Sequence, residues 1–222
     1  MIGMSQKIDL GKIISGDSAT WDSFHAARGR AIQAYASLEQ SLCSLLAKFG
    51  GINESVASVI FFKITSSRAR DSILEKLLKK QHGATYSVFW NSVTKRVDRI
   101  SQDRNQIVHW NAAVVVTDNG LEMQLIPPNH WEFRLDSPVL RVDDLADFIT
   151  ECSFLGQLCN KFRMFLGPEL AACLNSEQLQ TWTDIFQQPL VYPPPSTHPL
   201  CQTTPAPETP PPPSPQSQPP NP

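Results

Sequence analysis

The chain has 222 residues, with 19 Lys and Arg against 21 Asp and Glu, for a formal net charge of −2. That length allows one domain with a sizeable core plus a tail, and the near-neutral balance excludes a globally basic nucleic-acid binder. The charge is uneven: from Lys63 to Arg104 there are ten Lys and Arg and four Asp and Glu, a local net of +6, which marks either a surface for an anionic partner or a solvated face on two helices.

Met1 to Lys12 lacks the apolar stretch of a signal peptide. No run approaches the ~18 apolar residues needed to span a bilayer, so a cytoplasmic chain without a membrane partner is expected. From Ser18 to Phe49, residues Trp21, Phe24, Ala31, Tyr35, Leu38, Leu42, Leu45 and Phe49 recur mostly every three or four positions, the pattern of one buried face of a long helix. Gly50-Gly51 ends it. Asn53 caps a shorter helix running through Phe62. Ser66 or Ser67 caps a third, which carries Ile73, Leu74, Leu77 and Leu78 and stops at Gly83. A fourth helix starts near Ala84, with a seam of Tyr86, Trp90, Val93, Val97, Ile100, position 104 and Ile107.

The period then changes. Ala113 to Thr117 is rich in valine, Asn119-Gly120 is a strong hairpin signal, and Leu121, Met123 and Leu125 alternate with Glu122 and Gln124. Trp131, Phe133 and Leu135 alternate again after Pro127-Pro128. A small antiparallel sheet of two or three strands is expected. Asp143 or Asp144 opens another long helix, with a seam of Leu145, Phe148, Cys152, Leu155, Cys159, Phe162 and Leu166, broken by Gly167-Pro168. Two short helical pieces, about 168–174 and 177–187, close the domain.

Fifteen of the 19 prolines lie at or after Pro189. Proline removes a backbone donor and fixes φ, so residues 189–222 are expected to be a disordered proline-rich tail. The five cysteines, Cys43, Cys152, Cys159, Cys173 and Cys201, include no Cys-x-x-Cys pair, so neither a disulfide framework nor a zinc site is suggested. Cys152 and Cys159 share a helical face and read as small core residues. The fold class expected is mainly α: an antiparallel helical bundle over residues 1–188, with a β-hairpin or meander inserted at about 112–136, before the last long helix.

Arg104 stands where the fourth helix's seam calls for an apolar side chain. Buried without a partner it is costly, so it either finds a carboxylate, for which Glu39 on the first helix is the structural candidate, or lines a polar crevice. His109 follows five residues later at the helix end, and Asn105 shares its face. His109 can also serve simply to satisfy the helix's last carbonyls. Arg68 and Arg70 on the third helix are candidate phosphate ligands, and Trp110 is a candidate for stacking on a base, although exposed helix charges are more often only solubilising and a tryptophan there more often packs in the core or on the sheet.

The stretch Arg104-Asn105-x-x-x-His109 at the end of a long bundle helix resembles the Arg-x4-His motif of HEPN domains. The resemblance covers roughly Ser18 to Leu166 in helix order; the sheet is additional to the minimal bundle. It implies a metal-independent endoribonuclease that acts as a homodimer, needs no cofactor and leaves 2′,3′-cyclic phosphate ends. Members occur in defence and toxin–antitoxin systems, which implies an antitoxin or other protein partner, while others have lost activity and serve as interaction modules; a protein that binds RNA or nucleotides without turnover is a third alternative for this chain. Histidine suits the proton transfer from a ribose 2′-hydroxyl, and arginine suits the phosphate. Asn105 would orient the imidazole or bind a phosphate oxygen. A mechanism that needs the 2′-hydroxyl acts on RNA and spares DNA.

Overall fold

The computed structural model describes residues 18–117, 120–128, 138–168 and 173–202, with side chains from Thr20 onward. They form α1 (Ser18–Gly50), α2 (Glu54–Lys63), α3 (Ser67–His82), α4 (Ser87–His109), β1 (Asn111–Thr117), β2 (Gly120–Ile126), α5 (Val142–Phe165) and α6 (Ser176–Gln187). The chain is mainly helical, with one small antiparallel sheet ahead of the last helices.

Local chemistry accounts for most boundaries. α1 gives way at Gly51, whose φ of 61° is open to a residue without a Cβ. The Asn53 side chain accepts from the Val56 amide at 2.8 Å, and the Ser66 hydroxyl accepts from Ala69 at 3.2 Å, so each frees its helix of an orphaned donor. Gly83, also at φ 61°, closes α3. A turn over 83–86 then delays α4 to Ser87, later than the expected start near Ala84. α5 opens at Val142, and the Asp144 carboxylate accepts from the Arg141 amide at 2.7 Å. α6 begins behind Asn175, which exchanges side-chain hydrogen bonds with Gln178 in a capping box.

α4 runs antiparallel to both α1 and α5. Arg28 of α1 meets the end of α4, whereas Phe49 of α1 packs against Trp90 at its start. Arg96 of α4 pairs with Glu151 of α5, and Trp90 stacks on Phe162. α1 packs more extensively along α5 than along any other element. Gly156 of α5 faces Ser41 of α1, where a Cβ would lie 3.4 Å from the hydroxyl oxygen. Phe49, Phe89, Trp90, Phe162 and Phe186 are all buried at the end of the bundle away from His109. Edge-to-face rings of this kind add to the area they bury. Cys43, Cys152 and Cys159 lie in the core.

β1 and β2 pair in register from Asn111↔Ile126 to Thr117↔Gly120. Met123, Gln124 and Leu125 are buried, and Leu125 also makes an isolated bridge with Leu140, with amide-to-carbonyl distances of 2.8 and 3.1 Å. Asn119 of the expected turn, the segment carrying Trp131, Phe133 and Leu135, and most of the short piece after Pro168 lie outside the described residues.

The chain divides after Leu190 into two compact units. In the second, residues 191–202 carry turns and neither helix nor strand. The His198 amide donates to the Pro195 carbonyl and the Cys201 amide to His198, both at 2.8 Å. Residues 203–222 of the expected disordered tail lie outside the described residues. No single described helix is long and apolar enough to cross a membrane.

Candidate functional site

α4 ends at His109, and Trp110 turns the chain into β1. That corner is gripped from across the bundle. The Arg28 guanidinium on α1 donates from Nε to the Ile107 carbonyl at 2.8 Å and from one terminal nitrogen to Val108 at 2.9 Å and Trp110 at 3.0 Å. A helix leaves its last carbonyls without intrahelical donors, and a cation there also meets the negative end of the helix dipole. Arg28 was not singled out by the sequence reading, yet it carries the same signal as Arg104. It falls four residues after Phe24 and three before Ala31, where the α1 seam calls for an apolar side chain.

Arg104 is half-buried. Its guanidinium carbon sits 4.9 Å from the centroid of the Tyr35 ring, and one terminal nitrogen donates to Asn105 Oδ1 at 3.0 Å. The ring face is electron-rich, so it accommodates the cation without a carboxylate. Tyr35 is buried. Burial pushes its hydroxyl above the ordinary value, and the Glu39 charge acts in the same direction. A hydrogen bond with Ser101 and the charges of Arg104 and Arg70 oppose the rise.

The expected pairing of Arg104 with Glu39 is not formed. Glu39 accepts from Arg70 at 2.7 Å, with side-chain exposures of 15% and 10%. The reason is an offset of one turn on α1. Arg104 reaches Tyr35 from α4, while Glu39, four residues on, faces Arg70 of α3, whose guanidinium also lies 4.7 Å over the Phe61 ring. Arg70, an expected phosphate ligand, thus stands in a nearly buried ion pair. Asp71 beside it lines the same crevice, which has room for about 10 Å³, space for one water at most. Burial lifts the Asp71 carboxyl to about 6, the Arg70 charge opposing and Asp98 adding to the shift.

Asn105 and His109 are exposed, one turn apart on α4. Arg68 is exposed on the first turn of α3. Trp110 is half-buried, its amide bonded to the Gln106 carbonyl and its own carbonyl to Arg28. The structure therefore joins Arg104 to Asn105 by a hydrogen bond, sets Asn105 and His109 on one solvent-facing side, and leaves Arg70 and Glu39 to each other. An open cleft of about 660 Å³ lies elsewhere, between Phe24 of α1, Glu122 of β2 and Arg141 and Asp143 at the start of α5. None of the motif residues lines it. Among the described residues, no group of three or more His, Cys, Asp or Glu side chains is placed to hold a metal ion.

No family model matches the chain, and neither does a curated protein or a solved structure.

Proposed function

We propose that this protein is a metal-independent endoribonuclease of the HEPN type, acting as a homodimer on RNA. The observation that carries this reading is the triplet at the end of α4. His109 and Asn105 stand exposed one turn apart, and Arg104, held against Tyr35, donates to Asn105. An imidazole nitrogen of His109 takes the proton from a ribose 2′-hydroxyl. The freed oxygen attacks the adjacent phosphorus, the bond from phosphorus to the 5′ oxygen breaks, and a 2′,3′-cyclic phosphate forms. Arg104 meets the charge that gathers on the phosphate oxygens. Asn105 fixes the direction of that guanidinium. The departing 5′ oxygen needs a proton, and the His109 of a second copy supplies it. A homodimer is thus built into the chemistry, since one chain contributes one histidine to the motif.

Purified protein incubated with RNA in excess EDTA tests this. Cleavage by the wild type that both His109→Ala and Arg104→Ala lose supports the enzyme. Equal cleavage by all three preparations identifies a contaminant and removes the proposal. Growth arrest on expression, relieved by His109→Ala, supports a toxin or defence role and thereby a protein antidote as partner.

A non-catalytic interaction module is the second reading. It is favoured by α2, which exposes Val56, Val59 and Ile60 at 44%, 72% and 41%. Apolar side chains so placed suit a protein partner. Absence of RNA cleavage, together with a change of oligomeric state in Val59→Asp, supports it over the enzyme.

A further inference from the structure

The structure sorts the basic stretch into spent and free cations. Arg70 pairs with Glu39, Lys79 with Glu75 and Arg96 with Glu151, while Arg104, over Tyr35, keeps its charge and belongs to the triplet already described. On α4 that leaves Lys95 and Arg99, both exposed and outside every ion pair among the described residues. Their positions are not scattered. Asn91, Lys95, Arg99, Gln102, Asn105 and His109 are all exposed and recur every three or four residues. At ~100° per residue they occupy one side of the helix, and at 1.5 Å per residue the row is about 27 Å long.

We propose that this face of α4 is a track for single-stranded RNA, with Lys95 and Arg99 binding phosphates that lead toward His109. The direction of the strand and its being RNA rest on the nuclease reading; the cationic row itself does not. Every side chain in the row is a cation or a neutral hydrogen-bonding group. Asp98 falls within the same arc, but it is half-buried, accepts from Gln102 at 3.5 Å and is felt by Asp71 of α3. Asp103, also half-buried, lies one turn from Arg99, which together with Arg96 opposes the rise that burial causes in its carboxyl. A backbone of regularly spaced phosphates complements such a row, and the Asn and Gln amides can bond phosphate or ribose oxygens. Lys95 and Arg99 thereby join the expected phosphate ligands Arg68 and Arg70, of which Arg70 is already paired with Glu39.

The test uses full-length protein carrying His109→Ala, so that a fluorescein-labelled single-stranded oligoribonucleotide survives. Anisotropy titrations across a salt series give Kd and its salt slope. Removing Lys95 and Arg99 together by alanine substitution should weaken binding roughly tenfold near 0.1 M salt and flatten the slope by about 1.4, at ~0.7 per cation on a single strand. Lys63→Ala with Lys80→Ala removes the same charge from other exposed helix positions and should leave the slope unchanged. Equal losses in both double variants, or no loss in the first, would overturn the track. If wild-type protein binds with this pattern yet cleaves nothing, the track stands and the nuclease reading falls. If it cleaves but the α4 double variant binds normally, the reverse holds.

Discussion

The Arg104 guanidinium rests over the ring of Tyr35, 4.9 Å from its centroid, and this contact takes the place of the carboxylate that a seam arginine ordinarily seeks. A ring attracts the cation without neutralising it, so Arg104 keeps its full charge, as the proposed role at the phosphate requires. A cation–π contact of this sort contributes about 0.5–2 kcal/mol. Tyr35→Leu should lower kcat/KM for RNA about tenfold, at ~1.4 kcal/mol per factor of ten, and chiefly through kcat. Tyr35→Phe keeps the ring and loses only the Ser101 hydrogen bond, so it should stay within a few-fold of wild type. Steady-state kinetics on the three proteins decide the matter, and equal losses in Phe and Leu would assign the role to the hydroxyl.

Arg28 fixes the corner that carries His109. Charged hydrogen bonds to three carbonyls, partly open to solvent, contribute on the order of 2 kcal/mol. For a domain of this size, Arg28→Ala should lower the thermal midpoint by about 5 °C. Amide hydrogen exchange should rise first at Ile107 to Ala112, the residues on either side of the corner. Arg28→Lys should recover only part of the midpoint, because an ammonium lacks the planar fork that reaches several oxygens at once. Unchanged exchange at the corner in Arg28→Ala would show that the helix end holds without the clamp.

Asp71 gives the protein a pH signature of unusual sign. Its carboxyl titrates near 6 in the fold, raised by burial, against 3.8 for the free side chain. Between those values the folded state holds more protons than the unfolded state, so this group's contribution is fully present below about 3.8 and is lost as pH rises through 6. Partial exposure trims the effect to about 1–2 kcal/mol. Asp71→Asn should therefore gain stability relative to wild type as pH climbs from 4 to 7. Denaturation midpoints at these two pH values check this; a constant difference between the proteins would contradict it.

The thiols divide sharply. Cys43, Cys152 and Cys159 are buried, and burial pushes Cys152 and Cys159 up to about 12, with nearby carboxylates adding to the shift. Cys173 and Cys201 are exposed. Since the thiolate is the reactive form, a colorimetric thiol reagent at pH 8 should count two cysteines in the native protein and five after unfolding. Rapid reaction of a third thiol would show that the core opens locally.

Much of the fold was legible because its signals are local. The α1 seam, the Asn53 cap and the glycines at 51 and 83 each act within a turn of themselves, and the hairpin announces itself through a change of period. The helix seams also flagged Arg104. What stayed hidden was partner choice across the bundle. Glu39 and Arg104 both lay on seams facing the bundle, and a one-turn offset between Tyr35 and Glu39 set them against different partners. Arg28 broke the α1 seam as plainly as Arg104 broke its own, but its acceptors are main-chain carbonyls about 80 residues away, and carbonyls leave no mark in a sequence. Exposure along α4 was equally hidden, because charge alone does not say which cations are already paired.

The proton on the ribose 2′-hydroxyl is what His109 is held to take, and one substrate pair isolates it. A single-stranded oligoribonucleotide and the same sequence fully 2′-O-methylated are incubated with wild type and His109→Ala in excess EDTA, and fragment ends are read by mass spectrometry. Cleavage of only the unmodified strand, only by wild type, with 2′,3′-cyclic phosphate ends is expected. Cleavage of the methylated strand, or an undiminished rate in His109→Ala, would contradict a base at position 109 acting on that hydroxyl.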